Sequence, residues 1–222
     1  MSRGCLCRRP CHDPLNGMTA LEIVGREEEL TSVRAFLDGT DEVLTALVLE
    51  GDAGIGKSTL WLAGVEHARS RQLRVLRSRP AEAERGLVHV GLGDLFEDVL
   101  DEVLPALAVP RRRTLEIALA REDRAGERLY PRTLGLATRD VLELLSRDGR
   151  ILVAVDDVQW LDDASAHALA FALRRLSDAH LAFLFARRLG KDPSSGGVEG
   201  AINSARVERL RVGPLSTGAV QR

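Results

Sequence analysis

Gly51-Asp52-Ala53-Gly54-Ile55-Gly56-Lys57-Ser58 completes the pattern G-x-x-x-x-G-K-[ST], with an apolar run of strand length before it and a helical segment after it. No other feature restricts the fold as much. The loop must leave the carboxyl end of a strand, turn on glycines and open a helix, so strand and helix are neighbours in an α/β layer. Glycines let backbone N–H groups converge on an anion without a Cβ in the way. The helix start adds free N–H groups and the positive end of its dipole. Lys57 is placed to reach the outer phosphates of a nucleoside triphosphate, and Ser58 offers a hydroxyl to Mg²⁺. Thr59, one residue further along, extends the nucleotide-binding set. A chain of this length meets the pattern by accident about once in a hundred, and the flanking elements lower that further.

The rest of the chain alternates in the same way. Spacing predicts helices over Arg26–Asp38, Lys57–Ser70, Leu92–Leu104, Pro110–Ala120, Thr133–Arg147 and Ala164–Leu176. Strands are expected over Val43–Glu50, Leu73–Ser78, Ile151–Val155, Leu181–Ala186 and Val207–Val212, with polar loops at 121–130 and Asp192–Gly200. Strands alternating with helices imply an α/β fold, a parallel five-stranded sheet sandwiched by helices, with ligands beyond the carboxyl ends of the strands.

Ile151–Val155 runs into Asp156 and Asp157. An apolar strand closed by two carboxylates is the Walker B form. Asp156 is expected to hold Mg²⁺ through a water, and Asp157 to polarise the water that attacks the terminal phosphate, beside the charge of Lys57. A helix cap or a solvated loop explains such aspartates equally well when they stand alone. A complete phosphate loop upstream favours the Mg-ATP reading.

Composition sets outer bounds. The 222 residues suffice for one domain with a sizeable core, and the formal net charge of -2 argues against a nucleic-acid-coating surface. Leu47–Leu49 and Ile151–Val155 are too short to span a bilayer, and no signal-type apolar stretch follows Arg3, Arg8 and Arg9. A cytoplasmic protein with no membrane partner is expected. Cys5, Cys7 and Cys11 all precede residue 12, so no disulfide framework is expected. With His12 they form C-x-C-x3-C-H, but no second ligand pair follows at zinc-finger spacing. Residues 1–20 are expected to be a disordered or spurious extension, with Met18 as an alternative start.

Three stretches together resemble a known family. They are Ile23-Val24-Gly25-Arg26-Glu27, the loop Gly51–Ser58, and Val155-Asp156-Asp157-Val158-Gln159-Trp160-Leu161-Asp162-Asp163-Ala164-Ser165. They are similar to the P-loop NTPase domain of large ATP-binding transcriptional regulators of the LuxR type, in the wider STAND and AAA+ group, which also includes the origin-recognition AAA domain. The resemblance covers residues 21–218. It implies that Val24, Gly25 and Arg26 lie against adenine, that Asp156 and Asp157 are the metal-binding and water-activating acids, and that an arginine ending the fourth strand senses the γ-phosphate. Arg187 and Arg188 both fit that last role. In such regulators a lid, a winged helix, a helical-repeat sensor and a DNA-binding helix-turn-helix follow. The sequence here stops at Arg222, so the lid subdomain is expected to be missing, with residues 219–222 as its truncated start, and direct DNA binding does not carry over. Expected partners are ATP and ADP, with self-association or regulator domains absent from this chain.

The function so implied is a slowly hydrolysing ATP switch with ATP and Mg²⁺ as its ligands. The alternative is a structural nucleotide-binding module without useful turnover, which has no need of the Asp157 carboxylate. A DNA-associated ATPase of origin-recognition type is a third reading, disfavoured by the charge. No guanine-selecting motif is present, and ATP against GTP stays open. Trp61 and Trp160 read as packing residues, Arg111-Arg112-Arg113 as a solvated helix start, and His67, His89, His167 and His180 lack metal-type spacing.

Overall fold

The computed structural model describes residues 24–39, 44–121, 129–176, 179–189 and 197–215. The expected extension at 1–20, the start of the first strand at Val43 and residues 219–222 lie outside the described residues. So do the cysteines.

Five strands, β1 (Thr45–Gly51), β2 (Arg74–Ser78), β3 (Ile151–Val155), β4 (Leu181–Arg188) and β5 (Val207–Arg211), form one sheet in the order β2-β3-β4-β1-β5. Every pairing is parallel. The central strands are buried on both faces, which is why they read as continuous apolar runs rather than alternating ones. Successive side chains still point to opposite faces. Leu47, Leu49, Leu152, Ala154, Leu184 and Ala186 meet α1 (Glu27–Asp38) and α2 (Lys57–Ser70) on one side. Ala46, Val48, Val153, Val155, Phe183 and Phe185 build the larger core on the other. That core is covered by α3 (Val90–Phe96), α4 (Leu100–Val103), α5 (Val109–Ala118), α6 (Pro131–Ser146) and α7 (Asp163–Leu173).

Trp61 is fully buried under α2 and donates its indole N–H to the Leu184 carbonyl at 3.2 Å. Gly64 lies one turn on, where a Cβ would come within 2.7 Å of Leu184 and 2.9 Å of Val33. A side chain there would push α2 off both β4 and α1. These contacts fix the helix that follows the phosphate loop, and so fix where its first turn points.

The fold class matches the expectation, and several boundaries differ. The uniform apolar spacing over Leu92–Leu104 predicts one helix; the chain forms two. Val99 turns with φ -116° and ψ -11°, and its N–H bonds Phe96 rather than the residue four back. Both halves send apolar side chains into the same core, so the break leaves the spacing intact. The α6 helix opens at Pro131, two residues earlier than expected, because proline at a first helical position loses no hydrogen bond. The segment expected as a loop to Gly200 contains a 3-10 turn at Val198–Ala201 that buries Val198 and Glu199; its residues 192–196 lie outside the described residues. Arg187 and Arg188 belong to β4, since pairing with Glu50 and Gly51 of β1 carries the strand past its apolar part.

Strand order sets the site. β4 lies between β1 and β3. The loop leaving β1 and the aspartates leaving β3 therefore flank the end of β4, and all three lie at the carboxyl edge of the sheet, where ligands of such sheets bind. No helix among the described residues is long and apolar enough to cross a membrane.

Candidate nucleotide-binding site

The loop after β1 keeps its shape through glycines used in two ways. At Gly51 the issue is space: a Cβ would meet the Val212 carbonyl at 2.7 Å and Ile55 at 2.9 Å. At Gly54 and Gly56 it is conformation, with φ +74° and +103° and nothing within 4 Å of a built Cβ. Those angles are left-handed backbone that glycine adopts without penalty. Gly56 directly precedes α2, so the loop delivers the chain to the helix start. The open space over Gly54 and Gly56 is what a phosphate cradle requires.

Arg26 braces the loop from behind. It is buried, its Nη2 donates to the Ile55 carbonyl at 2.8 Å, and its Nη1 pairs with Glu29 at 2.7 Å. Gly25 turns with φ 79° and Val24 is 42% exposed at the edge of the described chain. The segment expected against adenine thus has its arginine engaged with the phosphate loop, while Val24 offers an apolar surface beside it.

Lys57 is buried, and its ammonium donates to the Asp52 carbonyl at 2.7 Å. Burial lowers its pKa, and the charges of Asp157, Asp156 and Asp52 oppose that fall. An ammonium held on a loop carbonyl amid carboxylates is ready to exchange that carbonyl for phosphate oxygens. Ser58 donates its hydroxyl to Asp156 Oδ1 at 3.1 Å. The two side chains expected to hold Mg²⁺ therefore meet, from β1's helix and from β3. Asp156 is 4% exposed and its backbone N–H is paired to the Ser78 carbonyl of β2. Burial pushes its carboxyl above the usual range, against the Ser58 hydrogen bond, and Arg79 stands at 3.5 Å from its Oδ2. A buried carboxylate beside a hydroxyl offers hard oxygen donors that suit Mg²⁺, and the Lys57 ammonium nearby suits anionic phosphates, so the residues fit the ion and a nucleotide together.

Asp157 has left-handed backbone, φ 46° and ψ 51°. Its Oδ1 accepts a hydrogen bond from Gln159 Nε2 at 2.8 Å and has Arg188 Nε at 3.6 Å. Gln159 also accepts from the Arg188 backbone N–H at 3.3 Å. The Arg188 guanidinium carbon is 5.8 Å from the ring centre of Trp160, which is itself buried. Arg187 turns to the other face of the sheet and pairs with Glu199 at 2.9 Å, both largely buried. Burial raises the Glu199 pKa, opposed by Arg187. Arg188 stands beside Asp157, and Arg187 beside Glu199.

Sequence reasoning missed four participants. Asp162 accepts from the backbone N–H groups of His89 and Ser165 at 2.9 Å and Gly91 at 3.0 Å, which ties the start of α3 to the start of α7. Burial alone would raise its pKa, but the hydrogen bonds from Ser165, Gly91 and His89 outweigh it and hold the carboxyl low. Its signal was available: Asp followed three residues later by Ser, just before an apolar run, is a helix start. Arg79 carried no such signal, because its partner Asp156 reaches it only when β2 and β3 align. Gln159 stands two residues from Asp157, but its second partner, the Arg188 backbone N–H, comes from β4. Asp94, bonded by the Ser78 hydroxyl at 2.9 Å and pushed up in pKa by burial, is the fourth.

Among the described residues, no group of three or more His, Cys, Asp or Glu side chains is arranged to hold a metal ion by itself. The candidate Mg²⁺ site depends on Ser58 and phosphate oxygens as well as Asp156.

Comparison with known proteins gives a family. The sequence model described as AAA ATPase domain matches residues 22–184. No curated protein matches the chain. Solved structures that resemble it include the Aeropyrum pernix ORC1 protein in complex with DNA, with 16% identity, a TM-score of 0.49 and coverage of 90% of this chain and 48% of that one. AMPPCP-bound DnaA from Aquifex aeolicus shares 14% identity at a TM-score of 0.43, over 88% of this chain and 50% of that one. C. elegans PCH-2 shares 13% at 0.43, over 86% and 43%. The chain spans about half the length of these structures.

Proposed function

The chain belongs to the AAA ATPase domain family, and from that premise we propose that it is an ATP-binding, slowly hydrolysing switch domain of a bacterial signal-transducing or transcriptional regulator. The observation that carries the ATP reading is the meeting of Ser58 and Asp156 beside the Lys57 ammonium, below an open glycine loop. The loop N–H groups and Lys57 bind the phosphates, and exchange of the Asp52 carbonyl for phosphate oxygens costs Lys57 no charge pairing. Ser58 and Asp156 would hold Mg²⁺, which when bound offsets charge on the β- and γ-phosphates. Val24 and Gly25 lie at the base end, and Arg26 acts on the nucleotide by bracing Ile55.

Asp157 orients a water against the γ-phosphorus. The new P–O bond forms as the bridging P–O bond to the β-phosphate breaks; its electron pair leaves with ADP, and the water proton passes to Asp157. Arg188, rather than Arg187, is the γ-phosphate sensor, because Glu199 holds Arg187 and Arg188 stands beside Asp157. The contact of Arg188 with Asp157 supports slow turnover: it must be given up before Asp157 serves the water. The regulator assignment rests on Ile23–Glu27 and Val155–Ser165, which resemble the LuxR-type group. Its partners beyond ATP and ADP are then regulator domains or further copies of the chain, without direct DNA contact.

A phosphate-release assay on the purified chain tests this. Turnover below about one per second is expected, and Asp157→Asn should keep Mg-ATP binding and lose turnover. An Asp157→Asn protein that hydrolyses ATP at the parental rate removes Asp157 from the mechanism.

A further inference from the structure

We infer that Gln159 is the positioning residue of the site, an amide bridge that aims the Asp157 carboxylate from the end of β4. The inference rests on the reading of Asp157 as the water-orienting acid.

Both ends of the Gln159 side chain are occupied. Its Nε2 donates to Asp157 Oδ1 at 2.8 Å and its Oε1 accepts from the Arg188 backbone N–H at 3.3 Å. The chemistry allows one orientation of the amide. Flipped, it would set its oxygen against a carboxylate oxygen and its NH₂ against a backbone N–H. Gln159 is itself held in place by its neighbours. It sits in the 3-10 turn Val158–Trp160, where the Trp160 N–H bonds the Asp157 carbonyl at 2.9 Å and the Trp160 ring is buried. The bridge thus joins the exit of β3 to the exit of β4, two adjacent strands in register from Ile151–Leu181 to Val155–Phe185.

Asp157 needs such a hold. Its left-handed backbone is unusual for a residue with a Cβ, and its side chain is partly exposed beyond the end of β3. Gln159 and Arg188 both address Oδ1, which leaves Oδ2 to take the proton from water. The two contacts differ in one respect. Arg188 reaches Asp157 with its guanidinium, the group that turns to an arriving γ-phosphate. Gln159 is tied to the backbone of Arg188, which stays in β4 when that side chain moves. Gln159 therefore keeps Asp157 aimed in the ATP-bound state, after the arginine has left.

The test uses Gln159→Met, which keeps length and loses both bonds, and Gln159→Glu, which keeps the acceptor and sets a like charge against Asp157. Both should bind Mg-ATP within about twofold of the parent and lose kcat, about tenfold for Met and more for Glu, because the acid is misplaced rather than missing. In the Asp157→Asn background, Gln159→Met should cause no further loss, since both changes act through one group. A second readout does not involve turnover. The Gln159 side-chain amide signals in a ¹⁵N-labelled chain, assigned by their disappearance in Gln159→Met, should shift on Asp157→Asn and stay in place on Arg187→Ala. Parental rates in both Gln159 variants beside an inactive Asp157→Asn overturn this inference and leave the acid's role standing. An Asp157→Asn protein with parental turnover overturns that role and this inference with it. Amide signals indifferent to Asp157→Asn overturn the bridge itself.

Discussion

Ser58 donates its hydroxyl to Asp156 at 3.1 Å across 98 residues of sequence. The bond joins the first turn of α2 to the end of β3. It forms because β4, inserted between β1 and β3, holds the two strand ends at a fixed spacing. Neither residue is a generic surface group: Asp156 is buried and pairs with Arg79 at 3.5 Å, and Ser58 is half-buried.

Breaking this pair should uncouple metal from nucleotide. Ser58→Ala and Asp156→Asn are each expected to abolish most of the tightening of ATP binding by Mg²⁺, about tenfold or more, while binding in EDTA changes little. Titrations with and without Mg²⁺ check this. Equal Mg²⁺ dependence in parent and both variants would show that the pair does not hold the ion.

The glycines of the loop should fail differently. Gly51→Ala drives a methyl against the Val212 carbonyl and Ile55, so it should lower fold stability by about 1–3 kcal/mol in a denaturant melt. Gly54→Ala meets no atom within 4 Å but forces alanine to φ +74°. That strain, about 1–2 kcal/mol, should appear as weaker phosphate binding or a relaxed loop more than as a collapsed fold. Matching stability losses without loss of affinity in Gly54→Ala would contradict the cradle.

Asp162 should stabilise the fold in a pH-dependent way. It is 3% exposed and caps α7 while binding α3, so Asp162→Ala should cost about 2–4 kcal/mol. Its folded pKa lies below the unfolded one. The stability from its ionised form is therefore complete above the unfolded value, near 3.8, and is lost as pH falls through the folded value. The stability gap between the parent and Asp162→Asn should stay constant near neutrality and narrow only below about pH 4. A gap that widens on acidification would reverse the assignment.

What could be read from sequence was what is local. The phosphate loop is eight consecutive residues, and the function expected of it follows from their order. The strands of the buried sheet were legible because both faces demand apolar side chains. The end of β4 was not, because Arg187 and Arg188 are polar and only pairing with Glu50 and Gly51 extends the strand over them. The same pairing separates their partners, Glu199 for Arg187 and Asp157 for Arg188. The break at Glu97–Val99 was hidden by an apolar spacing that suits either one helix or two. Arg79 was invisible beside Asp156, since the pair forms between two strands distant in sequence, and the bridge through Gln159 was invisible because one of its two ends lies on β4.

The most direct measurement of the central claim is a calorimetric titration of the purified chain with ATP, with and without Mg²⁺, beside Lys57→Ala. Saturable one-to-one binding that Mg²⁺ tightens is expected. Affinity should fall on the order of a thousandfold when the Lys57 ammonium is removed from its place beside Asp52, Asp156 and Asp157. Parental affinity in Lys57→Ala, or no saturable ATP binding by the intact chain, would contradict it.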